Sequence, residues 1–165
     1  MKTLYLIRHA KSSWDDKDLT DFERPLNKRG NRDAPFMALL LKEEKVVPDL
    51  IISSPALRAI STAQIFADKF DYPKNKILLE KSIYLSGIKE LEAIVQSIPD
   101  SHNIVFVFGH NPSITHYANH LGNKFITNIP TCGIVGIGFY EKNWHKVEMG
   151  KGKTFRLEFP KKYFK

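Results

Sequence analysis

Cysteine is almost missing from this chain: Cys132 stands alone among 165 residues. A single thiol forms no internal disulfide and no multi-thiolate metal site, so a reducing, cytoplasmic setting is the expectation. Long hydrophobic runs are also lacking, and Met1-Lys2 leads straight into a strand without the longer apolar segment and small-residue cleavage site of a secretory signal. No membrane partner is therefore expected. There is no internal repeat, low-complexity tract or linker, and a single domain over residues 1–165 is expected; with 42% hydrophobic and 26% charged residues it has enough apolar material for a core. Acidic residues are the other shortage, 18 against 25 Lys and Arg, giving a net charge of +7. Most of that excess is terminal: Lys142, Lys146, Lys151, Lys153, Arg156, Lys161, Lys162 and Lys165 face only Glu148 and Glu158 in the last stretch. Such a tail, with Tyr163 and Phe164 interspersed, is compatible with RNA or an acidic partner. Its ordinary reading is a solvated end, and nucleic acid is not the expected partner.

What the chain does have is concentrated in Lys2-Thr-Leu-Tyr-Leu-Ile-Arg-His-Ala-Lys-Ser-Ser13. Leu4 to Ile7 is a continuous apolar run, too unbroken for a strand with one wet face, and predicts a central strand covered on both sides. It stops at Arg8 and His9, the carboxyl end at which open α/β sheets place their ligands. Arginine offers a permanent forked cation, and a neutral imidazole is a nucleophile, a base or a metal ligand. By itself an Arg-His pair more often merely caps a strand, so the rest of the chain has to make the case.

Further along, Asn27 is a plausible N-cap, and Ala34, Met37, Ala38 and Leu41 recur at helical spacing, with Pro35 implying a kink or a regular helix starting near residue 33. Asp49 to Ile52 predicts a second strand, followed by Ser54 as N-cap and Pro55 as first helical residue, which puts Arg58 in the first helical turn. Ile77 to Leu79 is a third strand candidate, and Leu91, Ile94, Val95 and Ile98 form one face of a helix over 88–98. Ile104 to Phe108 again lacks polar alternation and ends in Gly109-His110-Asn111-Pro112, ahead of a helix over 112–121. Strands over 134–139, 145–149 and 155–159 are expected to pair antiparallel at one side. The order predicts an α/β fold: three layers, α/β/α, around a mixed, mostly parallel central sheet.

Three strand ends then converge on one edge, bringing Arg8 and His9, Arg58, and His110 around a small space. Two guanidinium forks and two imidazoles make an oxyanion pocket of phosphate type.

On these residues the chain resembles a known family. Leu6-Ile-Arg-His-Ala-Lys-Ser12 is similar to the RHG signature of the histidine phosphatase superfamily, Ser53-Ser-Pro-Ala-Leu-Arg58 to its second-arginine segment, and Phe108-Gly-His110-Asn to its second-histidine segment. Arg24-Pro-Leu-Asn-Lys-Arg-Gly30 and the lack of a large inserted cap resemble the small SixA-like phosphohistidine phosphatases. The resemblance implies a phosphoglycerate mutase-like fold and a metal-independent phosphatase without a cofactor. It makes His9 the nucleophile that becomes phosphorylated, Arg8, Arg58 and His110 the groups holding the phosphoryl oxygens, and Arg24 an additional phosphate contact. The implied partner is a histidine-phosphorylated protein. A small phosphate ester is the alternative substrate, and a non-catalytic phosphate-binding module the reading from another class.

Two departures stand out: Ala10 replaces the signature glycine, which matters if the backbone there needs a positive φ, and Asp15 stands where many relatives carry asparagine. No acidic proton donor is evident, with Asp15 and Glu80 the nearest candidates; that mildly favours a phosphoramidate, whose leaving imidazole needs less help than an alkoxide. His116 and His120 are spaced i, i+4 but lack the glutamate of the zinc-protease motif, and no metal site is expected.

Overall fold

A computed structural model describes residues 1–164; Lys165, the last of the basic residues named above, lies outside the described residues. Its centre is a pair of buried parallel strands. β1 (Lys2–Arg8) and β4 (Ile104–Gly109) run side by side with Arg8 opposite Gly109, and β2 (Leu50–Ser53) lies along the other side of β4 with Ser53 opposite Phe108. This register brings the carboxyl ends of all three strands to one edge. The full order is β3-β2-β4-β1-β5-β6, with β3 (Leu78–Leu79) parallel to β2 and with β5 (Ile134–Phe139) and β6 (Lys153–Glu158) antiparallel on the other flank.

Helices cover both faces. Tyr5, Ile7, Phe106 and Phe108 point towards α1 (Lys28–Glu43) and α2 (Leu57–Lys69), and Leu4, Leu6, Val105 and Val107 point towards α3 (Ile88–Gln96) and α4 (Ser113–Leu121). Successive side chains of a strand face opposite ways, so apolar burial on both sides is what the unbroken runs in β1 and β4 require.

The N-terminus of α1 is fixed by Asn27, whose side chain accepts from the Gly30 N–H at 2.9 Å; the helix starts at Lys28 and carries Pro35 inside it, earlier than a regular start near residue 33. Gly30 is needed there because a Cβ would lie 2.2 Å from the Lys11 carbonyl oxygen. Its absence lets α1 press directly against the loop that follows β1. α2 begins two residues later than Pro55 suggests, with Ala56 as its N-cap; the Ser54 hydroxyl accepts from the Ala56 N–H at 3.2 Å and forms a turn ahead of the helix.

The expected strand over 145–149 is instead a 3-10 turn, Trp144–Lys146. Trp144 is fully buried; its indole donates to the His102 carbonyl at 2.8 Å and its backbone N–H to Asp100, holding the segment as a turn. The last residues differ from a solvated tail as well. After β6 the chain turns through Pro160–Lys162 and lays Tyr163 and Phe164 on Phe36 of α1, with ring centroids 5.2 and 4.8 Å apart. Arg32 caps the Phe164 ring at 4.0 Å.

Candidate active site

The residues expected to converge do so. His9 and His110 emerge from neighbouring strands with ring centroids 5.2 Å apart, and Arg8 and Arg58 flank them. All but Arg8 are at least nine-tenths buried. Thr62 of α2 ties the pieces together: its hydroxyl accepts from the Ala10 N–H at 3.0 Å and donates to the Arg58 carbonyl at 2.7 Å. Ala10 is fully buried and is not among the positive-φ residues, so the missing signature glycine costs the backbone nothing.

Each imidazole is held in a defined tautomer. His9 Nδ1 lies 2.7 Å from the Ala10 carbonyl oxygen, which only accepts, so Nδ1 carries the proton and Nε2 carries the lone pair. His110 Nε2 lies 2.8 Å from the Ser54 hydroxyl. That hydroxyl is buried, accepts from Ala56 and has no other acceptor among the described residues; giving its hydrogen to Nε2 satisfies it and leaves His110 Nδ1 as an N–H donor. Nδ1 of His110 and Nε of Arg8 are buried without a hydrogen-bond partner among the described residues.

Replacing Ser54 by Ala removes the tautomer lock while leaving His110 in place. We expect kcat/KM for a phosphorylated substrate to fall about tenfold, the scale of one hydrogen bond. Ser54→Thr restores most of it, and the His110 ring nitrogens shift by NMR in the Ala variant alone.

The electrostatics favour neutral imidazoles. His9 is pushed down to about 3, first by burial and then by His110, Arg58 and Arg8, with the Ala10 carbonyl opposing; His110 is pushed down to about 4 by burial and Arg58. The lone pair on His9 Nε2 is thus free of a proton across the neutral range. Because both folded values lie below the ordinary imidazole value, the unfolded chain binds more protons as pH falls through 6.5. Stability is therefore fully present above that value and is lost progressively down to pH 4 to 3, by about 1.4 kcal/mol per pH unit for each imidazole. Denaturant titrations at pH 7.5, 6 and 5 should show the midpoint falling, and a midpoint that holds steady would contradict the neutral pair.

Asp21 is the residue that sequence reading missed. It opens a 3-10 turn, Asp21–Glu23, and its carboxylate accepts from Arg58 at 3.0 Å, Arg24 at 3.2 Å and the Tyr84 hydroxyl at 2.7 Å. The Tyr84 hydroxyl, then the two guanidinium groups, hold it down to about 2. It is an anchor for two arginine forks and a poor proton donor. Its spacing three residues before Arg24, on one turn, was the available signal. Asp15 lies exposed on the loop and Glu80 at the end of β3.

Arg24 meets Arg58 at Asp21 and turns its other donors to the loop after β1. Buried, with its guanidinium 3.1 Å over the Trp14 ring, it donates to the Ser13 carbonyl at 3.0 Å, the Ser12 hydroxyl at 2.6 Å and Asp21. Its observed contacts therefore hold the loop after His9 in shape. A cavity of about 290 Å³ opens over Arg58, His110 and Tyr84, bounded by Leu85 and Ser86.

Fold and site together define an α/β protein with a cationic, imidazole-bearing cluster at the carboxyl edge of a mostly parallel sheet. Comparison with known proteins places it. The model of the histidine phosphatase superfamily (branch 1) matches residues 4–80, from β1 through β3. An uncharacterized chloroplastic protein of Arabidopsis thaliana is 31% identical over 154 residues, covering 88% of this chain and 70% of that protein. Phosphoglycerate mutase 1 of Saccharomyces cerevisiae is 40% identical over 73 residues, but the match spans only 43% of this chain and 30% of the mutase. Among solved structures, the putative phosphohistidine phosphatase SixA of Agrobacterium tumefaciens superposes with a TM-score of 0.81 at 23% identity over 96% of this chain and 98% of that one. The protein histidine phosphatase SixA in complex with tungstate gives 0.81 at 21% identity over 94% and 95%. The chain belongs to the histidine phosphatase superfamily, and its fold is the phosphoglycerate mutase-like one in the small SixA-like form.

Proposed function

We propose that the protein is a phosphatase that removes the phosphoryl group from phosphohistidine on a protein, by way of a phosphorylated His9. The observation that carries this reading is the lock on His9: with Nδ1–H held by the Ala10 carbonyl, Nε2 presents a lone pair beside two guanidinium groups and a donor imidazole. In the first step Nε2 attacks phosphorus and the substrate's P–N bond breaks. The departing ring leaves as neutral imidazole because its other nitrogen carries a proton. In the second step water attacks the phosphoryl group on His9, the new P–N bond breaks, and inorganic phosphate is released. Arg8, Arg58 and His110 Nδ1 bind the phosphoryl oxygens and favour the charge that gathers on them in the transition state. Arg24 adds its charge to the pocket while its bonded donors keep the loop after His9 in register.

The state of Asp21 supports phosphohistidine over a phosphomonoester. An alkoxide leaving group needs a proton from the enzyme, and the carboxyl that meets this cluster is held ionised by its partners. The test is turnover, in chelator, of a histidine-phosphorylated carrier protein against a panel of sugar and nucleotide phosphates. We expect kcat/KM on the carrier to exceed the best ester by a hundredfold or more. Comparable rates on an ester would move the assignment to a small-molecule phosphatase, and stoichiometric phosphate binding without release would make it a binding module.

A further inference from the structure

A second cavity, about 520 Å³, runs from Arg8 away from the catalytic pocket, between the first turns of α1, the segment around Pro130 and the C-terminal turn. Volumes of this order hold ligands. Among the described residues, five cationic side chains line it, Arg8, Lys11, Arg29, Arg32 and Lys161, against the single side-chain carboxylate of Asp33. That carboxylate is almost fully buried and already spent on Arg32 at 2.8 Å and Arg29 at 3.9 Å, while both arginine side chains remain about half exposed. The groove is built by the folded-back terminus, since Phe159, Pro160 and Phe164 supply its far wall.

We propose that this groove binds an acidic stretch of the phosphorylated protein substrate, next to the residue whose phosphoryl group is transferred; the idea rests on the phosphatase reading above. Three observations fix the class of partner. Arg8 lines the groove and also acts on His9, so the groove adjoins the imidazole site at this residue and a chain bound at His9 has the groove's cations next to it. The charge demands an anionic partner, and the carboxylates of a peptide meet guanidinium and ammonium groups spread along an open wall. The aromatic rings of the wall are already capped, Phe164 by Arg32 at 4.0 Å and Phe159 by Lys162 at 5.3 Å, and offer no free platform on which nucleic-acid bases stack.

Two histidine-phosphorylated peptides, identical except that Asp and Glu flank the phosphohistidine in one and Asn and Gln in the other, test this. We expect kcat/KM to favour the acidic peptide about tenfold at low ionic strength, with the gap shrinking as salt rises. The double variant Lys11→Gln/Lys161→Gln, and to a lesser degree Lys161→Gln alone, should bring the ratio close to one while turnover of free phosphohistidine stays unchanged. A ratio near one in the natural chain, or one that survives the double variant, overturns the proposal. Fluorescence anisotropy of the unphosphorylated acidic and neutral peptides reads the groove without turnover. Variant-sensitive preference for the acidic peptide without hydrolysis of either phosphopeptide sinks the phosphatase reading and leaves the groove standing. Equal hydrolysis of both without any binding preference sinks the groove alone, and displacement of the acidic peptide by a lower concentration of oligouridine reassigns it to nucleic acid.

Discussion

Replacing His9 by Ala should lower turnover of a histidine-phosphorylated protein by about four orders of magnitude or more, some 5.5 kcal/mol of barrier at ~1.36 kcal/mol per decade. Nothing else in the pocket can take over. His110 holds its lone-pair nitrogen towards Ser54, and its other ring nitrogen carries hydrogen. The variant should still fold, because the His9 side chain contributes one hydrogen bond, to the adjacent carbonyl, and sits at the rim of the core. Its stability should also depend less steeply on pH than that of the natural chain, since one of the two imidazoles held neutral by burial is gone. A catalytic deficit together with a flatter stability profile separates loss of the nucleophile from general damage. Activity within tenfold of the natural chain would remove His9 from the mechanism.

The second large effect is expected at Arg58. Its guanidinium donates to the Asp21 carbonyl at 2.6 Å and to the Asp21 carboxylate at 3.0 Å, and it presses on both imidazoles. Arg58→Ala should cost about a thousandfold in kcat/KM, the scale of losing an aimed donor on developing charge. Arg58→Lys should recover little of this, because a point charge does not reproduce a planar fork that spans the Asp21 carbonyl and carboxylate. The substitution also releases part of the hold on Asp21, leaving Tyr84 and Arg24, and removes one of the charges that depress both histidines, which rise while burial, the larger cause, still holds them below the ordinary imidazole value. An acid limb in kcat/KM that moves up in pH for Arg58→Ala, measured above pH 5, is the accompanying signature.

The parts of this protein that could be read from sequence were those written locally. Unbroken apolar runs at Leu4–Ile7 and Ile104–Phe108 specify strands buried on both faces, and each run ends in the imidazole it presents. Asn27 and Gly30 announce the start of α1. What stayed illegible depends on partners distant in the chain. Trp144 is drawn into a turn by Asp100 and His102, more than forty residues away, and that capture overrides the strand pattern of residues 145–149. Ser54 has the sequence of a helix cap, yet its hydroxyl meets His110 from a strand fifty-six positions on. The spacing of Asp21 before Arg24 marks one ion pair, but its bonds to Tyr84 and Arg58 arise only when the fold brings those residues to it. The basic end has the composition of a solvated tail, and only the Phe36 face of α1 turns it into the wall of a groove.

The most direct test of the central claim is to mix the protein with a carrier bearing a radiolabelled phosphohistidine, quench within the first turnover and map the label on the protein. The account predicts one acid-labile, alkali-stable phosphoryl group on the peptide containing His9, absent in His9→Ala and present in Ser54→Ala. Release of labelled phosphate at full rate with no label on His9, or with the label on His110 or a hydroxyl, would contradict it.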